Sequence, residues 1–197
     1  MKKLTFLLLI CIALLNGCKK ETGPTTKTEN PLNASLAGGQ IDSIRTYNVG
    51  AFEFGNKLYF SKNGSITKLG CKLPYKGNIR VSFWDYSTKD LIAAATITIT
   101  DSTKFNYVNI SPIAVTANTR YVLSLNNTSG GLARSYHAGY RKSGATLVAN
   151  IYPFTVGSVT YEAPYYQGSS TSTFPINEDP TKNYIGGFSD LQFEYTE

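Results

Sequence analysis

Charge is scarce in this chain. Of its 197 residues only 16% are Asp, Glu, Lys or Arg, which is too few for a coiled coil or a charged disordered segment. Met, Trp and His occur once each. A lone His leaves no partner for an imidazole metal site, and a Ser-His-Asp triad would have to use His137. There is no G-x-S-x-G, H-E-x-x-H, C-x-x-C or Walker A spacing, so the common hydrolase, zinc and nucleotide signatures are missing. No apolar run reaches the ~20 residues that a membrane-spanning helix needs. What the chain has instead is 14 Tyr, 10 Phe and 17 Gly, with abundant Thr and Ser. Such β-prone aromatics with many turn residues point to an all-β protein.

The N-terminus reads as a targeting segment. Lys2 and Lys3 precede an uncharged run from Leu4 to Leu15, the length of a signal-peptide core. The run ends in Leu15-Asn16-Gly17-Cys18, which resembles a bacterial lipobox: an aliphatic residue, small residues, then the Cys that takes the lipid. Cleavage before Cys18 removes Lys2 and Lys3, two of the six net positive charges. Two or three acyl chains on Cys18 would hold the protein on a bilayer, where a single chain holds only marginally. Lys19-Lys20-Glu21 partly resembles the export signals of Bacteroidetes surface lipoproteins. The expected location is the outer membrane, with display at the cell surface. Residues 1–17 are thus expected to be a lipoprotein signal peptide. Residues 18–44, polar and without apolar periodicity, are expected to be the acylated Cys and a flexible tether. Residues 45–197 are expected to be one folded domain.

Cys71 is then the single thiol of the mature domain, which rules out an internal disulfide. Leu69, Cys71 and Leu73 share one face of an alternating run, so Cys71 reads as a small buried hydrophobe. A period of two recurs along the domain. Ile79, Val81 and Phe83 alternate with Arg80, Ser82 and Trp84. Ile97 and Ile99 alternate with threonines; Tyr121, Leu123 and Leu125 alternate with Arg120, Val122 and Ser124; Leu191 and Phe193 alternate with Gln192 and Glu194. Each is the pattern of a half-buried strand. Turn residues separate the runs at Asn63-Gly64, Lys76-Gly77-Asn78, Ala117-Asn118 and Gly186-Gly187. No window from 45 onward predicts a helix. The expectation is a single antiparallel β-sandwich, jelly-roll-like or, alternatively, immunoglobulin/fibronectin III-like. Residues 168–182, with Pro175 and Pro180, are expected to form an irregular exposed loop.

Three stretches carry a resemblance. Asn63-Gly64-Ser65-Ile66-Thr67-Lys68-Leu69, Val81-Ser82-Phe83-Trp84-Asp85 followed by Leu91-Ile92-Ala93, and Tyr107-Val108-Asn109-Ile110-Ser111-Pro112-Ile113-Ala114-Val115-Thr116-Ala117-Asn118-Thr119-Arg120-Tyr121-Val122 resemble successive strand and turn motifs of the bacterial domain of unknown function 4082 family. Asn118 stands where the motif has a turn Gly. The resemblance covers roughly residues 47–197 and implies a non-catalytic β-sandwich module of an extracellular protein.

Aromatic residues in the later loops suggest what such a module could hold. Sugars offer apolar C–H faces to aromatic rings and hydroxyls to polar side chains. The candidate ligand-binding residues are Trp84, Tyr136, His137, Tyr140, Arg141, Tyr161, Tyr165 and Tyr166. In the pair Tyr165-Tyr166 adjacent side chains point to opposite sides, so one is expected to face outward. The expected function is a non-catalytic binding or adhesion module for a glycan or a surface partner. The alternatives are a structural or accessory subunit of another envelope protein, and a minor glycan hydrolase. No cofactor and no nucleic-acid partner are expected, because the lysines are scattered singly. Calcium at Glu178 and Asp179 stays open, since carboxylates with carbonyl help suffice for that ion.

Overall fold

A computed structural model describes residues 23–197. The expected signal peptide and the lipidation residue Cys18 lie outside the described residues. The chain begins with β1 (Thr26–Glu29), the short helix α1 (Pro31–Ala37) and β2 (Ser43–Tyr47). Six strands follow: β3 (Phe52–Phe60), β4 (Gly64–Lys72), β5 (Gly77–Asp85), β6 (Leu91–Ile99), β7 (Asn106–Val115) and β8 (Arg120–Asn126). Two minor hairpins, β9 (Thr128–Ser129) with β10 (Leu132–Ala133) and β12 (Lys142–Ser143) with β13 (Thr146–Leu147), flank β11 (Tyr136–Tyr140). The last strands are β14 (Phe154–Val156), β15 (Val159–Gly168), β16 (Asn177–Glu178), β17 (Ile185–Gly186) and β18 (Phe188–Thr196).

These strands make an all-β sandwich of antiparallel sheets. One layer has the order β1-β18-β4-β7, the other β14-β15-β3-β8-β5-β6 with β16 added to β15. The chain changes layer between β3 and β4, β4 and β5, β6 and β7, and β7 and β8, so neighbours in sequence face each other across the core. A third, small sheet, β17-β11-β2, closes one end.

The alternating residues supply the core. Ile79, Val81, Phe83, Ile97, Ile99, Leu123 and Leu125 from one layer meet Ile66, Leu69, Cys71, Leu191 and Phe193 from the other, all buried. Each large side chain so buried contributes ~1.5–3 kcal/mol. Cys71 is a free buried thiol whose pKa burial pushes well up, so it packs as a small apolar group. Asn118 sits at φ +63°, the left-handed conformation that Asn tolerates better than other non-glycine residues, and so closes the β7–β8 turn.

The expected tether does not extend to residue 44. β1 pairs with β18 in register from Thr26 opposite Thr196 to Glu29 opposite Phe193. Helix α1 begins with Pro31, whose fixed φ suits a first turn, and buries Leu32 completely. No side chain of its own caps it. Instead Asp190 of β18 accepts the backbone N–H of Leu32 at one carboxylate oxygen and that of Asn33 at the other, both at 3.0 Å. The Tyr107 hydroxyl donates to Asp190 at 2.7 Å, and the Asn30 amide donates to the Leu191 carbonyl. Partners more than a hundred residues away therefore order a segment that has no periodicity of its own.

The segment after β15 is likewise packed. Residues 169–176 cross the outer face of the larger sheet, where Phe174 and Pro175 are buried. A Cβ on Gly55 would come within 2.7 Å of the Pro175 ring, so the missing side chain is what lets this strap lie close. The Asn126 amide donates to the carbonyls of Ser169 and Thr171, and the Ser82 and Ser172 hydroxyls meet at 2.9 Å. Residues 168–182 are mostly irregular and exposed, as expected, but Phe174 and Pro175 fasten residues 169–176 to the sheet as a strap.

Candidate functional site

A cleft of about 240 Å³ opens where the end of the larger sheet meets the small closing sheet. Its floor comes from the start of β3. Phe52 and Phe54 lie on one side of that strand, and Phe54 pairs across it with Tyr166 of β15 and Leu125 of β8. Tyr136 enters from β11, its ring centroid 4.1 Å from that of Phe54. Phe52 and Phe54 are 5.6 Å apart, and Tyr166 meets Phe52 edge-on at 6.4 Å. Val49, Asp179 and Tyr184 complete the lining. Behind Phe54 the chain turns through Gly186 and Gly187. Gly187 has φ +61°, and a Cβ there would sit 2.9 Å from Phe54, so both space and backbone require glycine.

Asp179 is fixed by its own loop. Its backbone N–H donates to the Pro164 carbonyl at 2.9 Å, and one carboxylate oxygen accepts the Thr181 N–H at 2.9 Å and the Thr181 hydroxyl at 2.7 Å. Tyr184 is pushed up in pKa by burial and then by the Asp179 carboxylate beside it. Tyr136 is raised mainly by burial, with Tyr47 and Asp179 adding to the effect. Both hydroxyls therefore stay protonated and can donate.

Two of the expected ligand residues come together here, Tyr136 and Tyr166. Strand alternation puts Tyr165 and Tyr166 on opposite faces, and a β-bulge in β15 between Tyr161 and Ala163 decides which of them shares the face of Tyr161. Before the bulge Tyr161 faces the core; after it Tyr165 faces the strap and Tyr166 the cleft. Tyr166 is 36% exposed. Tyr165 is 8% exposed, and its hydroxyl donates to Glu178 at 3.0 Å and lies 3.2 Å from that of Tyr86.

The other expected residues lie away from this cleft. Tyr161 is completely buried and stacks on Phe154 at 4.8 Å, so it is core and meets no ligand. Trp84 is buried under the strap, its indole N–H donating to the Ser124 hydroxyl at 2.8 Å with Phe174 edge-on. His137 points away from Tyr136, against Phe188 and toward the Thr46 hydroxyl at 3.2 Å, and burial lowers its pKa. Tyr140 is buried and hydrogen-bonded to Tyr47 at 2.8 Å. Arg141 donates to the Gln40 carbonyl at 3.0 Å. None of these three lines the cleft.

Phe52, Phe54 and Tyr184 were missing from the sequence expectation, and Asp179 was considered only for calcium. Phe52 and Phe54 carry the period-two signal, but that signal reads as core. Asp179 precedes a proline in an apparent loop, with nothing to link it to Tyr136.

Of the two carboxylates considered for calcium, Asp179 lines the cleft and Glu178 does not. Glu178 pairs with Lys182 at 2.7 Å, and Asp85 and Asp101 close their own turns. Among the described residues no three of His, Cys, Asp and Glu cluster as a metal site. Glu53 and Asp190 are the buried carboxylates among the described residues, and Glu53 is the one on the strap side. It lies buried beneath the strap, accepts the Ser124 hydroxyl, and is pushed by burial to a pKa of about 7.

Residues 40–186 match the family described as a domain of unknown function (DUF4082). The chain belongs to this family. The DUF4082 span holds every residue that lines the cleft, while β1, α1 and β18 lie outside it. No curated protein matches the sequence.

Proposed function

We propose that this DUF4082 domain is a non-catalytic glycan-binding module of an outer-membrane lipoprotein, displayed on the cell surface through acylated Cys18. The observation that carries the reading is the cleft of Phe52, Phe54, Tyr136 and Tyr166 with one carboxylate, Asp179, at its side. A pyranose face lies on aromatic rings at ~0.5–1.5 kcal/mol per ring beyond buried area, while Asp179 and the tyrosine hydroxyls meet the sugar hydroxyls. At about 240 Å³ the cleft is smaller than the ~300–1,000 Å³ of drug-sized sites, so it suits one ring or a chain end. Many copies on one membrane would raise the effective strength by avidity. Hydrolysis finds less support, because two flanking carboxylates are needed and the lining supplies one.

The test is a glycan array probed with the soluble chain from residue 23, displayed multivalently. Specific glycan signals lost on Tyr166→Ala support the reading. A blank array with folded protein, or signals indifferent to Tyr166→Ala, contradict it. The anchor has its own test: Cys18→Ala abolishes labelling by a fatty acid and membrane retention, and equal labelling of the variant would reject acylation at that residue.

A further inference from the structure

The lining of the cleft contains five aromatic rings and one carboxylate, and no Lys, Arg or His. Ring faces are the negative side of the aromatic quadrupole, and they attract a cation within about 6 Å. The nearby cationic side chains are engaged elsewhere. Lys182 is on Glu178 at 2.7 Å, and Arg45 sits over Tyr140 at 5.2 Å. Among the described residues the carboxylate of Asp179 has no salt-bridge partner; it accepts from Thr181 of its own turn and lies beside the Tyr184 hydroxyl. Burial is the first cause of the raised Tyr184 and Tyr136 pKa values, and the Asp179 carboxylate adds to both. A chain with net charge +6 thus carries a cleft of the opposite sign.

We infer that the cleft selects a cationic ligand, the ammonium group of a deacetylated amino sugar such as a glucosamine unit. The inference rests on the glycan-binding reading and adds the charge of the ligand. The sugar ring would lie on Phe52 and Tyr166, and its ammonium would meet Asp179 beside Tyr184. Acetylation of the amine would remove the charge and add bulk in a cleft sized for one ring. A uronic acid would face both the carboxylate and the ring faces with like charge, which costs affinity.

Calorimetric titration of the soluble chain from residue 23 tests this. The probes are glucosamine, N-acetylglucosamine, glucose and choline, at a pH where the amine is protonated. Glucosamine is expected to bind at least tenfold more tightly than the two neutral sugars, with a preference that shrinks as salt rises. Asp179→Asn should erase that preference, because its amide oxygen still accepts from Thr181 while the charge is gone. Neutral sugars that equal glucosamine, or an Asp179→Asn variant that keeps the preference, would overturn the inference and leave glycan binding intact. Choline binding without any sugar binding would uphold a cation-selective cleft and overturn the glycan reading. Folded protein that binds none of the four would overturn both.

Discussion

Tyr165 and Tyr166, adjacent in β15, stand on opposite faces of the sheet, one closed under the strap and the other open at the cleft. Strand alternation sets this division, and the bulge after Tyr161 decides that Tyr166 is the one at the cleft.

Tyr165→Ala should therefore be a stability variant. It removes a buried ring and its contacts with Glu178 and Tyr86. Truncating a buried aromatic costs ~3–5 kcal/mol, and partial exposure of the site puts this one at the lower end. Thermal melts should show a fall of several degrees, with ligand affinity at low temperature close to that of the parent. A melt identical to the parent would mean that the strap is not fastened as described.

Leu32→Ala tests whether the N-terminal segment belongs to the fold. A fully buried leucine costs ~2–5 kcal/mol on truncation. At this size roughly 2–4 °C of melting temperature is lost per kcal/mol. Deleting residues 23–42 should destabilise further, because β18 loses β1 and Asp190 loses the two N–H donors of α1. A deletion that melts like the parent would return the segment to a tether.

Glu53 and Asp190 give stability a pH dependence. Burial raises Glu53 from 4.5 to about 7 and Asp190 from 3.8 to about 6. Because both folded values lie above the unfolded ones, the folded state holds more protons. Their contribution is complete below the unfolded values and is lost as pH rises through about 6 to 7. For Glu53 the range is roughly 3 kcal/mol at most. His137 acts in the opposite sense, since its lowered pKa makes protonation unfavourable to the fold as pH falls. The informative comparison is thus Glu53→Gln against the parent at each pH. Denaturant titrations should show the variant gaining most relative to the parent at pH 8 and least at pH 4. A constant difference across that range would contradict an ionisable Glu53 beneath the strap.

How much of this was legible in the sequence depends on how local the cause is. The alternation of Ile79, Val81 and Phe83 with Arg80 is a backbone property, so those strands and their core face could be read directly. The order of α1 could not, because its cap is the carboxylate of Asp190, far along the chain. Tyr161 was misplaced for a related reason: a bulge inserts one residue and reverses every side chain after it, and no turn residue marks it. Tyr136 and Tyr166 were legible as candidates in a Tyr-rich region, though Tyr166 is exposed and Tyr136 is buried. Their meeting with Phe52, Phe54 and Asp179 was not, since four separate elements converge there.

The most direct test of the central claim is a calorimetric titration of the best array glycan into three proteins: the parent, Tyr166→Ala and Tyr165→Ala. Loss of one stacked, partly exposed ring at ~1–2 kcal/mol predicts a roughly five- to thirtyfold weaker affinity for Tyr166→Ala, with its melting temperature little changed, and near-parent affinity for Tyr165→Ala. Unchanged affinity in Tyr166→Ala would contradict the assignment of this cleft as the binding site.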